Sequence, residues 1–211
     1  MISDVSMYSV GLPLLIGLGT YWRLNNTQKA VFFLVLLSVV IEFWARAVRN
    51  MGEMQNVIYY GFTVGEFLLL GIVFSKAIIP FLSRTFFKLI TLFFLCFVAV
   101  DMFWLSGINQ FNNYSTAVEG LLLIFFSIVF FYKTLKELKV RDLEKEPLFW
   151  ISTGVLLYFS GSLFIFLFTN YVNSSNTVLF IIWGIHAIFG MILNLFYSIT
   201  LWMKPGPLTP H

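Results

Sequence analysis

The sequence predicts an all-α fold: an integral membrane bundle of seven transmembrane helices, with the N-terminus outside and the C-terminus cytoplasmic. Three observations carry that expectation. The chain is 59% hydrophobic and 11% charged, with a mean hydropathy of +0.89. A soluble domain carries roughly 25% charged residues, so this chain cannot cover itself with a polar surface in water. Seven apolar stretches run over 5–22, 30–47, 57–76, 86–105, 115–135, 148–168 and 177–202, each near the ~20 residues that a spanning helix needs. Finally, eleven of the thirteen Lys and Arg fall in or beside the first, third and fifth connectors or after the last stretch, leaving Arg46 and Arg49 at the other end. Lys and Arg stay on the cytoplasmic side of short loops, which sets the orientation.

The first stretch is preceded by MISDVS, which holds no Lys or Arg. A signal peptide needs that positive region, so a retained membrane helix is expected. In the second stretch Ser38, Glu42, Arg46 and Arg49 recur at intervals of four, four and three and share one helix face. Glu42 and Arg46 stand in the favourable acid-first order for neutralising each other. The third stretch, VIYYGFTVGEFLLLGIVFSK, carries Glu66 near its middle, on one face with Tyr59 and Thr63. The fourth holds the single cysteine, Cys96, in an apolar run, and Asp101 near its outer end; the fifth holds Glu119 at a similar depth.

Pro147 stands where the sixth helix begins, a favoured first-turn position. Gly154, Tyr158, Gly161 and Ser162 form a small and polar stripe on that helix, and His186, Gly190, Asn194 and Ser198 form another on the seventh. Such stripes point into a bundle, because lipid offers polar groups no partner. Gly65, Gly154 and Gly161 suit close helix packing better than helix breaks. Trp22, Trp44, Trp104, Trp150 and Trp202 fall at expected helix ends, as an interfacial belt should, whereas Trp183 lies deeper.

The connectors are too short to hold a soluble domain, so residues 1–204 read as a single transmembrane domain and 205–211 as a C-terminal tail. A weak internal repeat relates 30–78 to 88–136: Thr63-Val-Gly-Glu66-Phe-Leu-Leu-Leu matches Thr116-Ala-Val-Glu119-Gly-Leu-Leu-Leu. The last two helices extend it, with His186 near the place of the glutamates.

These positions suggest ligand-binding residues Glu42, Arg46, Glu66, Asp101, Glu119, His186 and Asn194, in a polar interior that opens outward. Arg46 and Arg49 would attract an anionic group at the mouth, with Glu66, Glu119 and His186 binding deeper. Packing alternatives exist for each. Either glutamate suits a neutral carboxylic acid bonded across helices, His186 a histidine bonded to one of those glutamates, and Asp101 a bond to the outer connector.

Several chemistries lack their residues. No HExxH, GxSxG, P-loop or dinucleotide fingerprint is present, a lone intramembrane His is poor for zinc, and the last helix has no deep lysine for a retinal Schiff base. No catalytic residue, metal or cofactor is therefore assigned. The net charge of +3 is small and dispersed, which argues against nucleic acid.

The run FNNYSTAVEGLLLIFFSIVFFYKTLKE followed by PLFWISTGVLLYFSGSLFIF resembles a group of uncharacterised seven-helix membrane proteins of Bacteroidetes-type bacteria. The likeness extends over most of the chain. It implies a seven-helix bundle in the bacterial inner membrane, working beside signalling kinases, and carries no residue roles.

The expected function is a monomeric multi-pass membrane sensor or ligand-binding protein. Its partners would be the bilayer, a small molecule or lipid, and a cytoplasmic signalling partner docking at 133–147. A small proton-coupled transporter is the first alternative, with the carboxylates as relay. An intramembrane lipid hydrolase, with a carboxylate–His pair activating water, is the second.

Overall fold

The computed structural model describes residues 6, 8–48, 51–79, 81–137, 143–168 and 176–204, with 167, 168 and 176–179 by their backbone alone. Among these, seven α-helices of ten residues or more and no strand are found: α1 (Gly11–Thr20), α2 (Asn26–Ala47), α3 (Gly52–Ile78), α4 (Arg84–Val100), α5 (Asn113–Glu137), α6 (Pro147–Phe168) and α7 (Asn176–Trp202). α2 to α7 are long and apolar enough to cross a membrane. The first expected span is described as the ten residues of α1 and a 3-10 turn at Tyr21–Arg23. Ten residues rise only about 15 Å, against a hydrocarbon core of roughly 30 Å. Arg49, Pro80, residues 138–142 of the fifth connector and the tail 205–211 lie outside the described residues.

α1, α2, α3, α5, α6 and α7 pack in a closed ring, and α4 lies outside it against α3 and α5. α4 accordingly buries one stripe, Phe87, Phe94 and Val98, and presents Leu89, Leu92, Phe93 and Leu95 outward. Apolar side chains gain nothing from one another over lipid, so membrane helices adhere by close packing at small residues. All three glycines expected to serve packing do so: a Cβ at Gly65 would lie 2.6 Å from Leu37 Cδ2. A Cβ at Gly154 would lie 2.8 Å from Phe196 Cβ, and one at Gly161 would lie 2.4 Å from the Phe189 ring. α3 and α6 run unbroken through all three of the flagged glycines.

The end of the bundle holding the first connector is clasped by side chains. The last carbonyls of a helix have no partner within it, and lipid supplies none. Four consecutive carbonyls at the end of α7 are met from α1 and α2. Gln28 Nε2 donates to the Thr200 oxygen (2.7 Å) and the Met203 oxygen (2.9 Å). Thr20 Oγ1 donates to the Leu201 oxygen at 3.0 Å, and Arg23 Nη2 to the Trp202 oxygen at 2.8 Å. Gln28 is placed by a capping box: its Oε1 accepts from Asn25 N while Asn25 Oδ1 accepts from Gln28 N. At the same end Lys133 Nζ donates to the Ala77 oxygen near the end of α3, and Lys136 lies over the Phe81 ring.

Trp22, Trp44, Trp104 and Trp202 are exposed at helix ends, and Trp150 Nε1 donates to the Glu144 oxygen. The core is densest in the half of the bundle toward the clasp, where Leu70, Phe74, Leu123, Phe126, Ile151 and Val155 are fully buried.

Two substitutions test this packing by thermal unfolding in detergent. Gln28→Leu leaves two buried carbonyls unmet and should cost roughly 2–4 kcal/mol. Gly154→Ala forces α6 from α7 and should cost about 1–3 kcal/mol. Gly61→Ala, whose Cβ meets nothing within 4 Å, should be neutral or slightly stabilising in the same assay.

Candidate functional site

Amide and hydroxyl groups first fix the connector 106–112, which then closes over the polar interior. Asp101 begins a widened turn at Asp101–Leu105 at the end of α4. Its carbonyl accepts from the amides of Ser106 (3.0 Å) and Gly107 (3.1 Å), and Gly107 adopts a φ of 70° that suits a residue without Cβ. The Asp101 carboxylate is 0% exposed. Oδ1 accepts from Ser106 Oγ at 2.7 Å, while Oδ2 accepts from Ser115 Oγ and, at 2.9 Å, from Ser115 N. The last of these amides is one of the orphan donors in the first turn of α5, so Asp101 caps that helix from another one.

The connector is also tied to α3. Asn56 Nδ2 donates to the Ile108 oxygen at 3.0 Å, and Asn112 Nδ2 donates to Thr63 Oγ1 at 2.7 Å. Phe111 then lies between Tyr59 (5.3 Å between centroids) and Trp183 (6.0 Å). Beneath it is a cavity of about 150 Å³. Glu66 of α3, Glu119 of α5, Tyr158 of α6 and His186 of α7 all line it, with Thr63, Thr116 and Asn112. The two matching Thr-x-x-Glu segments of the sequence repeat thus face one space, and Trp183 and His186 line it at the same three-residue spacing.

The electrostatics of the cavity are unbalanced. Glu119 is 0% exposed, and neither carboxylate oxygen has a protein hydrogen-bond partner. Glu66 is 8% exposed. Among the described residues no Lys or Arg lines the cavity. The phenols of Tyr158 and Tyr197 stand close enough to both glutamates to sense their charge. Two nearby polar hydrogens are directed elsewhere: Thr116 Oγ1 donates to the Asn112 oxygen at 3.0 Å, and an Asn112 amide hydrogen goes to Thr63.

His186 is bound differently from the packing expectation. Its Nδ1 shares a 3.0 Å hydrogen bond with Ser162, not with a glutamate, and its ring sits among Tyr158, Phe166 and Trp183. The reason is topological. α6 lies between α5 and α7, so Tyr158 and Ser162, one turn apart, intervene between the imidazole and the acids. Among the described residues no three His, Cys, Asp or Glu side chains converge as metal ligands.

A second space of about 250 Å³ adjoins the first and shares Phe62, Glu66 and Tyr158 with it. Ser38, Glu42, Gly190, Asn194 and Tyr197 also line it. Asn194 Nδ2 donates to Ser9 Oγ at 2.8 Å, which brings the segment before α1 against α7. Glu42 is half-exposed and accepts from Arg46 Nε at 2.9 Å, forming the expected intrahelical pair.

The seven residues singled out by sequence therefore divide four ways. Glu66, Glu119 and His186 line the inner cavity; Glu42 and Asn194 line the outer space with Glu66; Arg46 neutralises Glu42. Asp101 is consumed in building the connector. Sequence reasoning missed the aromatic wall, for which the deep Trp183 was the one available signal.

Compared with known proteins, the chain matches no protein family, no curated protein and no solved structure.

Two acids in one bundle should respond oppositely to removal of charge. Asp101→Asn puts an amide where three donors converge and should lower the unfolding temperature, at a cost on the order of 2–4 kcal/mol. Glu119→Gln replaces a carboxyl group that no protein group meets and should leave the unfolding temperature unchanged or raised.

Proposed function

We propose that the chain is a seven-span protein of the bacterial inner membrane, N-terminus outside, that binds a small molecule in the Glu66–Glu119–His186 cavity and relays its occupancy to a partner. One observation carries this reading: a buried carboxylate with neither oxygen hydrogen-bonded to protein, aimed into an inner space that adjoins an outer one. Ionisable groups inside a membrane are costly and are kept for a ligand or a proton.

Support for the seventh span comes from the chain before and within α1. Ser6 Oγ donates to the Ala187 oxygen, and Thr20 Oγ1 to the Leu201 oxygen. Residues 6–20 therefore run alongside 187–201 in the same direction, as a first span beside a seventh would. In the N-out orientation the cavity lies in the outer half, and the side with Lys133 and Lys136 faces the cytoplasm. A cytoplasmic partner would dock on the 133–147 segment, of which Lys133 and Lys136 are already engaged at the end of α3.

Binding is favoured over proton-coupled transport because the inner half is packed with fully buried Leu70, Phe74, Leu123 and Phe126. A carrier needs a second hydrated route through that layer. Hydrolysis has less support still, since His186 bonds Ser162 where a base would face a carboxylate.

Two measurements test the reading. A thermal-shift screen of polar metabolites on the purified chain should yield compounds that stabilise it. Their effect should be lost in Glu66→Gln and in His186→Ala; stabilisation that persists in both variants would remove the cavity assignment. For topology, a cysteine introduced at position 108 should react with an impermeant maleimide in intact cells, and one at position 136 only after lysis.

A further inference from the structure

The geometry points to a small organic ammonium ion as the ligand of the inner cavity. The inference rests on the ligand-binding reading above and adds the chemical class. Seven of the thirteen residues lining the cavity are Tyr, Phe or Trp, so its wall is made largely of ring surfaces, and ring faces carry negative charge density. Glu66 and Glu119 add two acids, and no Lys or Arg lines the space. An ionised carboxylate only accepts hydrogen bonds. Thr116, three residues before Glu119, donates its hydrogen to the Asn112 oxygen of the connector, and Asn112 Nδ2 donates one to Thr63 of α3. What the cavity lacks is positive charge.

Three kinds of cation are conceivable, and the wall discriminates among them. A bound metal ion needs several converging oxygen or nitrogen ligands, and among the described residues no three acids, histidines or cysteines converge in that way. A bare proton shared by the glutamates would neutralise them but makes no use of the rings of Tyr59, Phe111, Tyr158, Phe166 and Trp183. An alkylammonium ion uses both features, because aromatic cages attract such ions through cation–π contacts while an acid supplies the countercharge. Size agrees: the cavity holds about 150 Å³, and an apolar cavity of ~150 Å³ admits benzene. Tetramethylammonium is of that size. An anionic ligand, by contrast, would meet two acids, and Arg46 is committed to Glu42.

Isothermal titration of the purified full-length chain in detergent tests this with three probes of matched size: tetramethylammonium, the uncharged isostere neopentyl alcohol, and pivalate. Tetramethylammonium should bind at least tenfold more tightly than neopentyl alcohol, and pivalate should not bind. Glu119→Gln and Trp183→Leu should each weaken tetramethylammonium by about tenfold, with unfolding temperatures recorded so that a folding defect is separated from a binding one. Should Trp183→Leu unfold, Tyr59→Leu provides the same measurement from the opposite side of Phe111. Equal or tighter binding of neopentyl alcohol or pivalate overturns the ammonium assignment and leaves a ligand cavity standing. Tetramethylammonium binding that is indifferent to Glu119→Gln and to loss of the ring also overturns it. Binding of none of the three overturns both the ammonium assignment and the ligand-binding reading, and leaves the acids as a proton site.

Discussion

Two carboxylates share one cavity that no Lys or Arg lines among the described residues. Desolvating an ionised carboxylate costs several kcal/mol, and two that face one space repel each other unless something intervenes. Glu119 faces this without a single protein hydrogen bond. The fold around it is arranged to tolerate that state and not to relieve it. Tyr158 of α6 lines the cavity with both acids, His186 is bonded to Ser162, Thr116 donates to the connector at Asn112, and Asn112 donates to Thr63 of α3. A protein that needed Glu119 only for packing would have gained stability by giving it a donor.

The contrast with Asp101 makes the point within one chain. Asp101 is as deeply buried as Glu119, yet its carboxylate meets three donors and its carbonyl two amides. It is the structural acid of the bundle, and its product is the connector that sets Phe111 and Asn112 over the cavity. The clasp at the opposite end follows the same rule, with Gln28, Thr20 and Arg23 meeting the carbonyls of α7. In a bilayer every backbone group must find its partner within the protein. The bundle obeys that rule at both ends and departs from it, among charged groups, at the cavity.

Much of this arrangement is legible along the chain, and particular residues show where legibility stops. Glu66 can be placed near the middle of its stretch by counting residues, Glu119 nearer the end of its own, and His186 by its place in the repeat; all three line one space. The glycines of α6 read as packing sites and are so, because a Cβ at either would meet a phenylalanine of α7. The packing alternative set His186 against a glutamate, whereas its Nδ1 meets Ser162, since helical spacing fixes the face of a side chain but not which neighbouring helix lies across from it. Asp101 and Glu119 look alike in sequence, two acids near the outer ends of adjacent helices. Only the partners differ, and those come from the connector, whose irregular backbone has no periodicity to read. Phe111 escaped notice for the same reason, and so did the aromatic character of the wall, because 26 phenylalanines make any one of them unremarkable in a composition.

The sequence by itself determined that this chain is helical, with helices long and apolar enough to cross a membrane, how its polar stripes are spaced, and how far along each helix its acids and its histidine stand. Those properties are local: they depend on runs of apolar residues and on 3.6 residues per turn. The tertiary structure decided which of the acids are satisfied. It set α4 outside the ring, put α6 between the glutamates and His186, and folded 106–112 over the opening. These are choices among helix neighbours, made by small-residue packing and by the hydrogen bonds of a few connector and cap residues, and they carry no signature in the order of amino acids along any single helix.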